Sequence, residues 1–335
     1  MANIRDVAKL AGVAPITVSR VINKSGYISA ETRERVHAAI NQLGYIPNTL
    51  ARSLRSRQTH MLALVLTDIT NPFWTTVARG VEDVASDAGF NLILCNTDES
   101  EAEQDRYLQA LLQKQVDGIL LVPVTSKPDP VQFIQSQHVP VVVLDRHLPD
   151  VKADIVRCDS LGGAYQLAKL LFSQGHQRIA VLSGLRGVST AEDRVLGFQQ
   201  AQKEAGIEAQ PELIFYGEFN VQSGYQMAQQ ALALSPLPTA MLAGNNFIAI
   251  GALRALRDAG VSVPDSMAIV GFDDLPFYLV LDPFLTVAAQ PAYEMGRRAT
   301  ELLLARLSGQ AQDVFHEIVL PIELVVRSSS RFFRP

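Results

Sequence analysis

The chain has 335 residues, of which 48% are hydrophobic, and its formal net charge at pH 7 is −5. This length is enough for two or three domains with ordinary hydrophobic cores. No apolar run approaches the roughly 20 residues that span a bilayer, and the first twelve residues lack the apolar core of a secretory signal, so we expect a cytoplasmic protein.

The charge is unevenly distributed along the chain. Residues 1–60 contain nine of the 29 Lys and Arg residues but only three of the 34 Asp and Glu residues. A basic segment joined to an acidic remainder predicts that the N-terminal segment alone binds a polyanion. A solvated tail is the alternative, but the apolar residues of this segment are spaced for a core.

The first helix of this basic segment is predicted near the N-terminus. Ile4, Val7, Ala8 and Ala11 follow the i, i+3, i+4, i+7 spacing of an amphipathic helix. Gly12 tolerates a positive φ angle, which allows the chain to turn sharply after the helix.

Two more short helices are predicted to follow. Pro15 suits the first turn of a helix, because its missing N–H would have no partner there, and this helix should run to about Asn23. Ser29 is placed to cap a third helix, whose buried stripe includes Val36 and which Gly44 should end.

A helix, a tight turn, a second helix and a supporting third helix together predict a helix-turn-helix domain. In that geometry, the N-terminal residues of the second helix face base edges in the major groove. Arg20 can donate paired hydrogen bonds to guanine or phosphate, while Thr17 and Ser19 suit phosphate oxygens. A merely solvated helix face is the alternative.

The segment after this domain predicts a short basic hinge helix. Pro47 should end the segment that precedes it, and Asn48 is a good N-cap for a new helix. Ala51, Leu54 and Arg55 fit two turns of that helix. A helix this short is marginal alone, so it should order only against a second copy and DNA. Leu54 can then act as an apolar wedge in the minor groove. A flexible linker is the alternative. Both can apply, the linker in one state of the protein and the helix in another.

From Met61 onward, short apolar strands alternate with amphipathic helices, and the alternation restarts after residue 159. Two runs of this kind predict two lobes, each with a parallel sheet covered by helices on both faces. The segment LTVAAQP, residues 285–291, is expected to complete the first lobe. The predicted boundaries are 1–46 for the helix-turn-helix domain, 47–59 for the hinge and linker, 60–159 with 288–321 for the first lobe, and 160–287 with 322–335 for the second lobe.

Short motifs in both parts of the chain match the pattern of one known family. The N-terminal motifs are IRDVAKLAGV, TVSRVIN, SAETRERV, LGYIPN and ARSL, and the later ones are TNPFW, GHQRIAVLSG, GFDD and the Gln of AAQP. On these motifs the chain resembles the LacI/GalR family of bacterial transcription regulators. The resemblance implies an all-α helix-turn-helix head and an α/β two-lobed, periplasmic-binding-protein-like effector domain with two doubly wound parallel sheets.

The resemblance also implies a function and partners. It implies a homodimeric repressor of a carbohydrate-related operon that binds a pseudo-palindromic, double-stranded operator. A small effector, namely a sugar, sugar acid or sugar phosphate, would bind between lobes that close by hinging. Effector closure would change how the paired heads and hinge helices hold the operator.

Three positions depart from the family pattern. Pro15 and Ile16 open the recognition helix, where members often carry polar residues, and Ile16 can contact only an apolar group such as a thymine methyl. Asn246 stands where members typically carry Asp. Because an amide has no negative charge, Asn246 together with Arg146 and Arg194 favours a less cationic or even anionic ligand.

Two sets of residues are the candidates for binding. Trp74, the only tryptophan, suits stacking on a sugar or base as well as it suits a core, and a surface salt bridge is the alternative for each cleft arginine. The predicted DNA contacts are Pro15, Ile16, Thr17, Ser19, Arg20, Asn23, Thr32, Tyr45, Asn48, Ala51, Leu54 and Arg55. The predicted ligand contacts are Asn71, Phe73, Trp74, Arg146, Arg194, Phe219, Asn246, Asp273 and Gln290.

Signatures of catalysis, cofactors and metals are absent from the sequence. It contains no GxSxG, HExxH or phosphate-binding loop, and no GxGxxG follows the first strand. The six histidines have no ligand spacing, and DESEAEQD, residues 98–105, is predicted to be a solvated helix start. Cys95 and Cys158 are predicted to be buried free thiols. We therefore expect no enzyme, cofactor or metal.

Two other classes of protein share parts of this pattern. A periplasmic sugar-binding protein would have the same two lobes, but it would carry an export signal and lack the basic head. A small-molecule α/β enzyme with a helical appendage would need a polar catalytic constellation in its cleft, which the sequence does not suggest.

Overall fold

A computed structural model describes residues 2–23, 25–46, 58–275, 282–310 and 314–330. The chain divides into two compact units, the head unit of residues 1–59 and the body unit of residues 60–335. The predicted hinge residues Asn48, Ala51, Leu54 and Arg55 lie outside the described residues, so the hinge helix stays a prediction.

The described elements of the head unit are all helices, whereas helices and strands alternate in the body unit. The helices are α1 Ile4–Ala11, α2 Pro15–Ile22, α3 Ala30–Leu43, α4 Pro72–Asp87, α5 Glu101–Gln113, α6 Asp129–Ser136, α7 Ser160–Ser173, α8 Ser189–Glu204, α9 Val221–Leu232, α10 Asn246–Asp258 and α11 Ala292–Leu307. The strands are β1 Met61–Leu66, β2 Asn91–Asn96, β3 Gly118–Leu121, β4 Val141–Leu144, β5 Asp154–Cys158, β6 Ile179–Ser183, β7 Ile214–Tyr216, β8 Ala240–Ala243, β9 Ala268–Phe272, β10 Thr286–Ala289, β11 Glu317–Leu320 and β12 Glu323–Val325.

The head unit is a three-helix domain with local signals at each helix end. Asn3 and Asp6 form a capping box at the start of α1, and Gly12 ends it with a φ of 65°. The side chain of Ser29 accepts a hydrogen bond from the first turn of α3, and Gly44 ends that helix with a φ of 56°. The predicted turn, cap and stop are confirmed. The buried core consists of Val7, Ala8, Ala11, Val18, Val21, Val36 and Ala39.

The body unit contains two six-stranded sheets with the same strand order. The first runs β11-β5-β4-β3-β1-β2 and the second β12-β10-β9-β8-β6-β7. All pairs are parallel except β10 with β12. Each sheet has an apolar cluster on both faces, so the predicted doubly wound architecture is confirmed. The shared order makes β1 to β5 of the first lobe equivalent to β6 to β10 of the second.

The chain crosses between the lobes three times. It leaves the first lobe after β5, returns between β10 and α11, and crosses again between β11 and β12. Because β10 pairs with β9, the segment LTVAAQP belongs to the second sheet, and its predicted place in the first lobe is wrong. The predicted boundary at residue 288 therefore falls inside β10. Helix α11 packs against α4 and does belong to the first lobe.

Two further sequence predictions concern the cysteines and the membrane. Cys95 and Cys158 are buried and free, as predicted. Within the described ranges, we find no helix with both the length and the apolar character that crossing a membrane requires.

Candidate functional site

A cavity of about 380 Å³ lies between the two lobes, at the carboxyl ends of their strands. This is the edge at which open parallel sheets bind ligands, and the volume falls at the small end of ligand pockets. Eight of the nine predicted ligand residues line it, namely Asn71, Phe73, Trp74, Arg146, Arg194, Phe219, Asp273 and Gln290. The sequence analysis missed eleven other lining residues, namely Thr67, Asp68, Thr70, Asp98, Glu99, Asp145, Leu185, Thr190, Glu218, Asn220 and Asn245.

Two buried aspartates occupy equivalent positions in the two lobes. Asp145 follows β4 and Asp273 follows β9, and both have a left-handed φ of 65°. The N–H of Asp145 donates to the carbonyl of Val156 at 2.8 Å, and that of Asp273 donates to the carbonyl of Ala288 at 3.2 Å. The backbone of each aspartate is therefore held by the strand next to its own, in a left-handed conformation that Asp adopts more readily than most residues do.

The burial of these aspartates changes their acidity. Burial raises the pKa of Asp145 to about 6, although the nearby Arg194 and Arg146 act to lower it. Burial also raises the pKa of Asp273, against the opposing effects of Arg194 and of a hydrogen bond that Gln290 donates at 2.6 Å. Burial thus disfavours the ionised form of both carboxyl groups, and that of Asp145 takes up a proton near pH 6.

Arg146 is held inside the first lobe by an ion pair that the sequence analysis missed. Its Nη2 donates to both carboxylate oxygens of Glu99 at 2.8 and 2.9 Å, and its Nη1 donates to the carbonyls of Pro123 and Val124. The side chain is only 2% exposed, so the alternative of a surface salt bridge is wrong. The helix start predicted in DESEAEQD is confirmed, since α5 begins at Glu101 after the cap of Ser100, and Asp98 is exposed as predicted. Only the solvation predicted for Glu99 is wrong, because Glu99 is half-buried in this ion pair.

Arg194 projects from α8 into the second-lobe side of the cavity. Its Nη1 donates to the carbonyl of Gly244 at 2.5 Å, and its guanidinium carbon lies 4.1 Å from the centre of the Phe272 ring. This stacking is a cation–π contact that orients the guanidinium. Arg194 is buried, so it is not a surface salt bridge either.

Several buried polar atoms around the cavity have no hydrogen-bond partner. Among the described residues, five buried side-chain N or O atoms are unpaired, and three of them belong to cavity residues: Nε of Arg146, Nε of Arg194 and Oε1 of Gln290. An unpaired buried donor or acceptor costs about 1–3 kcal/mol.

An aromatic wall completes the cavity. Phe73 and Trp74 pack edge to face with their ring centres 4.8 Å apart, and both also belong to the first-lobe core. The two interpretations of Trp74, core aromatic and ligand contact, are therefore compatible. Phe219 closes the wall from the second lobe, where a Cβ at Gly184 would lie 2.0 Å from its ring. Only glycine at position 184 permits this ring position.

Asn246 is the predicted ligand residue that the structure places outside the cavity. Its Nδ2 donates to Oδ1 of Asn71 at 2.9 Å, and the Nδ2 of Asn71 donates back to its Oδ1 at 3.0 Å. Its neighbour Asn245, which caps α10, lines the cavity instead. The argument that an amide at position 246 faces the ligand is therefore wrong.

The charge of the cavity opposes the prediction of an anionic ligand. Its lining contains six carboxylates and two guanidiniums. Since Arg146 already pairs with Glu99, Arg194 is left to face the remaining carboxylates. Carboxylates accept hydrogen bonds from hydroxyls and repel anions, so the lining favours a neutral, hydroxyl-rich ligand over a phosphate or sugar acid.

In the head unit, α2 presents a mixed surface. Ile16 is 56% exposed, Arg20 and Asn23 are exposed, and Val18 and Val21 face the core. Pro15 is the first residue of α2, as predicted, and Thr17 is half-buried.

Three of the other predicted DNA contacts have partners inside the head unit. The half-buried Ser19 accepts a hydrogen bond from Nδ2 of Asn23 at 3.2 Å. Thr32 accepts one from Ser29 at 2.9 Å, and Tyr45 packs against the core. Arg20 and Ile16 are therefore the most available of the predicted contacts on α2.

Comparisons with known proteins cover nearly the whole chain. A model described as bacterial regulatory proteins, lacI family, matches residues 3–48. A second model, described as periplasmic binding proteins and sugar binding domain of LacI family, matches residues 59–327. A ribose operon repressor of Halalkalibacterium halodurans is 38% identical over 331 residues, which cover 99% of this chain and 98% of the relative.

Two solved structures extend the similarity. The lac repressor dimer bound to operator and an anti-inducer matches with a TM-score of 0.85 and 27% identity, covering 98% of this chain and 99% of that one. A LacI family transcriptional regulator from Enterococcus faecium with bound ribose matches with a TM-score of 0.73 and 30% identity, covering 82% of this chain and all of that one.

Proposed function

The chain belongs to the LacI family of bacterial regulatory proteins, and from that premise we propose that it is a transcriptional repressor controlled by a neutral sugar. Two copies would bind a pseudo-palindromic operator through their head units. The sugar would bind in the cavity of each body unit and change the affinity for the operator. One observation carries the proposal: the same chain matches both the DNA-binding model and the sugar-binding model, each over its own unit.

We propose D-ribose, or a pentose of similar shape, as the effector. The first relative described above is named a ribose operon repressor, and the Enterococcus faecium structure holds ribose. The cavity supports this choice by its small volume and by the two buried aspartates and two buried arginines that line it. Ribose hydroxyls can donate to Asp145 and Asp273 while their oxygens accept from Arg146 and Arg194. The wall of Phe73, Trp74 and Phe219 suits the apolar face of a sugar ring.

The remaining parts of the proposal follow from this assignment. We assign operator contact to residues 1–46, hinge pairing in the minor groove to residues 47–59, and effector binding and dimerisation to residues 60–335. The protein would act in the cytoplasm, where bacterial DNA lies. It would catalyse no reaction, because dissociation of the unchanged sugar is enough to restore the original operator affinity.

Titration of the full chain with candidate sugars tests the effector proposal. An operator is first selected from random duplexes, and its affinity is then measured by fluorescence anisotropy with D-ribose, ribose 5-phosphate or adenine added. D-ribose should change the operator affinity by about 5- to 150-fold, the usual range of such coupling. The phosphate and the nucleobase should not. A response to ribose 5-phosphate alone would contradict the neutral-sugar proposal.

Effector affinity should depend on pH through Asp145. A carboxylate accepts a sugar hydroxyl more strongly than a carboxylic acid does, and the pKa of this group is raised to about 6. The affinity for D-ribose should therefore be constant above pH 7 and fall as the pH is lowered through 6 towards 5. Isothermal titration calorimetry at pH 5, 6, 7 and 8 measures this. In Asp145→Asn, binding should be weaker throughout and its pH dependence smaller; an unchanged pH profile in this variant would contradict the assignment.

Recognition of thymine by Ile16 can be tested with modified DNA. The exposed Ile16 side chain cannot hydrogen-bond a base, but it can contact the 5-methyl group of thymine. In the selected operator, replacing one such thymine by deoxyuridine should weaken binding several-fold at one position of each half-site. Ile16→Ala should remove that difference. If no thymine-to-deoxyuridine change alters the affinity of the wild-type protein, Ile16 does not read a methyl group.

A further inference from the structure

The two lobes of the body unit are joined by a buried amide pair. Asn71 of the first lobe and Asn246 of the second exchange two hydrogen bonds, at 3.0 and 2.9 Å. They are 4% and 1% exposed. Each side-chain amide therefore supplies both the donor and the acceptor that the other needs away from water. If the lobes separated, both amides would have to form hydrogen bonds with water instead.

A second polar contact joins the lobes at the start of α8. The Oγ of Ser189 accepts from the N–H of His147 at 2.8 Å, and the N–H of Ser189 donates to Oγ of Ser126 at 2.9 Å. The N–H of Ser126 donates in turn to the carbonyl of Gly187 at 3.3 Å. Ser126 and His147 belong to the first lobe, and Gly187 and Ser189 belong to the second.

These two contacts occupy equivalent places in the two lobes. Asn71 caps α4, which follows β1, while Ser189 begins α8, which follows β6. Asn246 begins α10, which follows β8, while Ser126 follows β3. Since β1 is equivalent to β6 and β3 to β8, each contact joins the helix after the first strand of one lobe to the segment after the third strand of the other.

Both contacts lie directly beside residues that line the cavity. Ser189 precedes Thr190 and shares α8 with Arg194, while His147 follows Arg146. Asn246 follows Asn245, and Asn71 itself lines the cavity. Forming or breaking either contact must therefore move groups from both lobes relative to each other around the ligand.

We propose that Ser189 and Asn246 are positioning residues whose contacts across the cleft hold the two lobes together before any effector binds. We call these two contacts, Asn71 with Asn246 and Ser189 with Ser126 and His147, the latch. The two contacts close and open together, because the lobes are joined by short crossings and move as bodies. The latch holds Arg194 and Asp273 of the second lobe opposite Asp145 of the first. Part of the conformational entropy that lobe closure costs is therefore already lost before the effector binds. An effector enters only when the latch opens.

Amide hydrogen exchange of the effector-free, full-length protein tests the latch directly. The N–H groups of Ser126 and His147 should be protected in the wild type, because each bonds across the cleft. Asn246→Ala removes the distant amide pair and the local acceptor for the N–H of Phe247, and in this variant the amides of Ser126 and His147 should exchange about tenfold faster. A merely local role of Asn246 would leave them unchanged, because Asn246 does not contact them.

The controls separate latch opening from general destabilisation. Asn246→Asp keeps the acceptor for the N–H of Phe247 but loses the donor to Asn71, so it should give a smaller increase at the same amides. Asn91→Ala, at an exposed position of β2, should change neither amide. Rapid exchange at both amides in the wild type, or unchanged exchange in Asn246→Ala and Asn246→Asp, would overturn the proposal.

A second measurement rests on the proposed function and uses D-ribose, with the fluorescence of Trp74, the only tryptophan, as the signal. In Ser189→Ala the association rate should rise, because the open state is more populated, and the dissociation rate should rise further, because the closed state is less stable. Ser173→Ala, an exposed serine on α7, is the control. An association rate that is unchanged or lower in Ser189→Ala would contradict the latch. If the wild type gives no ribose signal at all, the effector proposal fails, while the exchange result still decides the latch.

Discussion

Replacing Arg194 by alanine is expected to weaken D-ribose binding at least about 100-fold and to abolish the response of operator binding to ribose. The guanidinium is buried, is oriented by Gly244 and Phe272, and lines the cavity. Hydrogen bonds to a charged group contribute about 1.5–3 kcal/mol each, and the substitution removes all of them. Calorimetric titration measures the affinity, and anisotropy measures the response.

The comparison variant is Arg257→Ala, which removes an exposed arginine from α10, away from the cavity. It should bind ribose like the wild type. Both variants should bind the operator with wild-type affinity in the absence of ribose, because neither residue lies in the head unit. A wild-type response in Arg194→Ala would remove this residue from the effector site, and loss of operator binding would mean that the substitution has unfolded the protein.

Replacing Arg20 by alanine is expected to reduce operator affinity about 10- to 100-fold per half-site. Paired hydrogen bonds from arginine to guanine are worth about 1–3 kcal/mol of discrimination. Arg20 is exposed on α2, the predicted recognition helix. Binding to random duplex DNA should fall only slightly, because that binding depends on the total positive charge. The ratio of operator affinity to random-duplex affinity, measured at two salt concentrations, reports the loss of specificity.

Arg35→Ala is the charge-matched comparison for Arg20→Ala. Arg35 is exposed on α3, and its removal lowers the charge of the head unit by the same amount. It should weaken operator and random DNA alike. Equal loss of specificity in the two variants would contradict direct base reading by Arg20.

Local signals made most of the fold predictable from the sequence. Gly12 and Gly44 have the left-handed φ angles that their positions required, and Ser29 caps α3. The placement of β10 was not predictable in the same way. An apolar run such as LTVAAQP shows that a strand is buried, but it does not show which of two similar sheets the strand joins.

The candidate site was predictable where it depended on the ends of strands and not where it depended on tertiary contacts. Asp145 could have been found by the same rule that gave Asp273, since both follow a buried strand. Glu99 could not, because its role depends on Arg146, which lies 47 residues away. Choosing between Asn245 and Asn246 required the exact start of α10, because one residue along a helix turns the side chain by about 100°.

The three chain crossings between the lobes limit the motions that the body unit can make. Three short covalent links near one edge prevent the lobes from sliding apart or twisting independently, but they allow rotation about a single axis. Because the lobes rotate about one axis, the motion is the same whichever group of the ligand promotes it. Different sugars that fit the cavity should therefore produce the same final geometry and differ only in how fully they populate it.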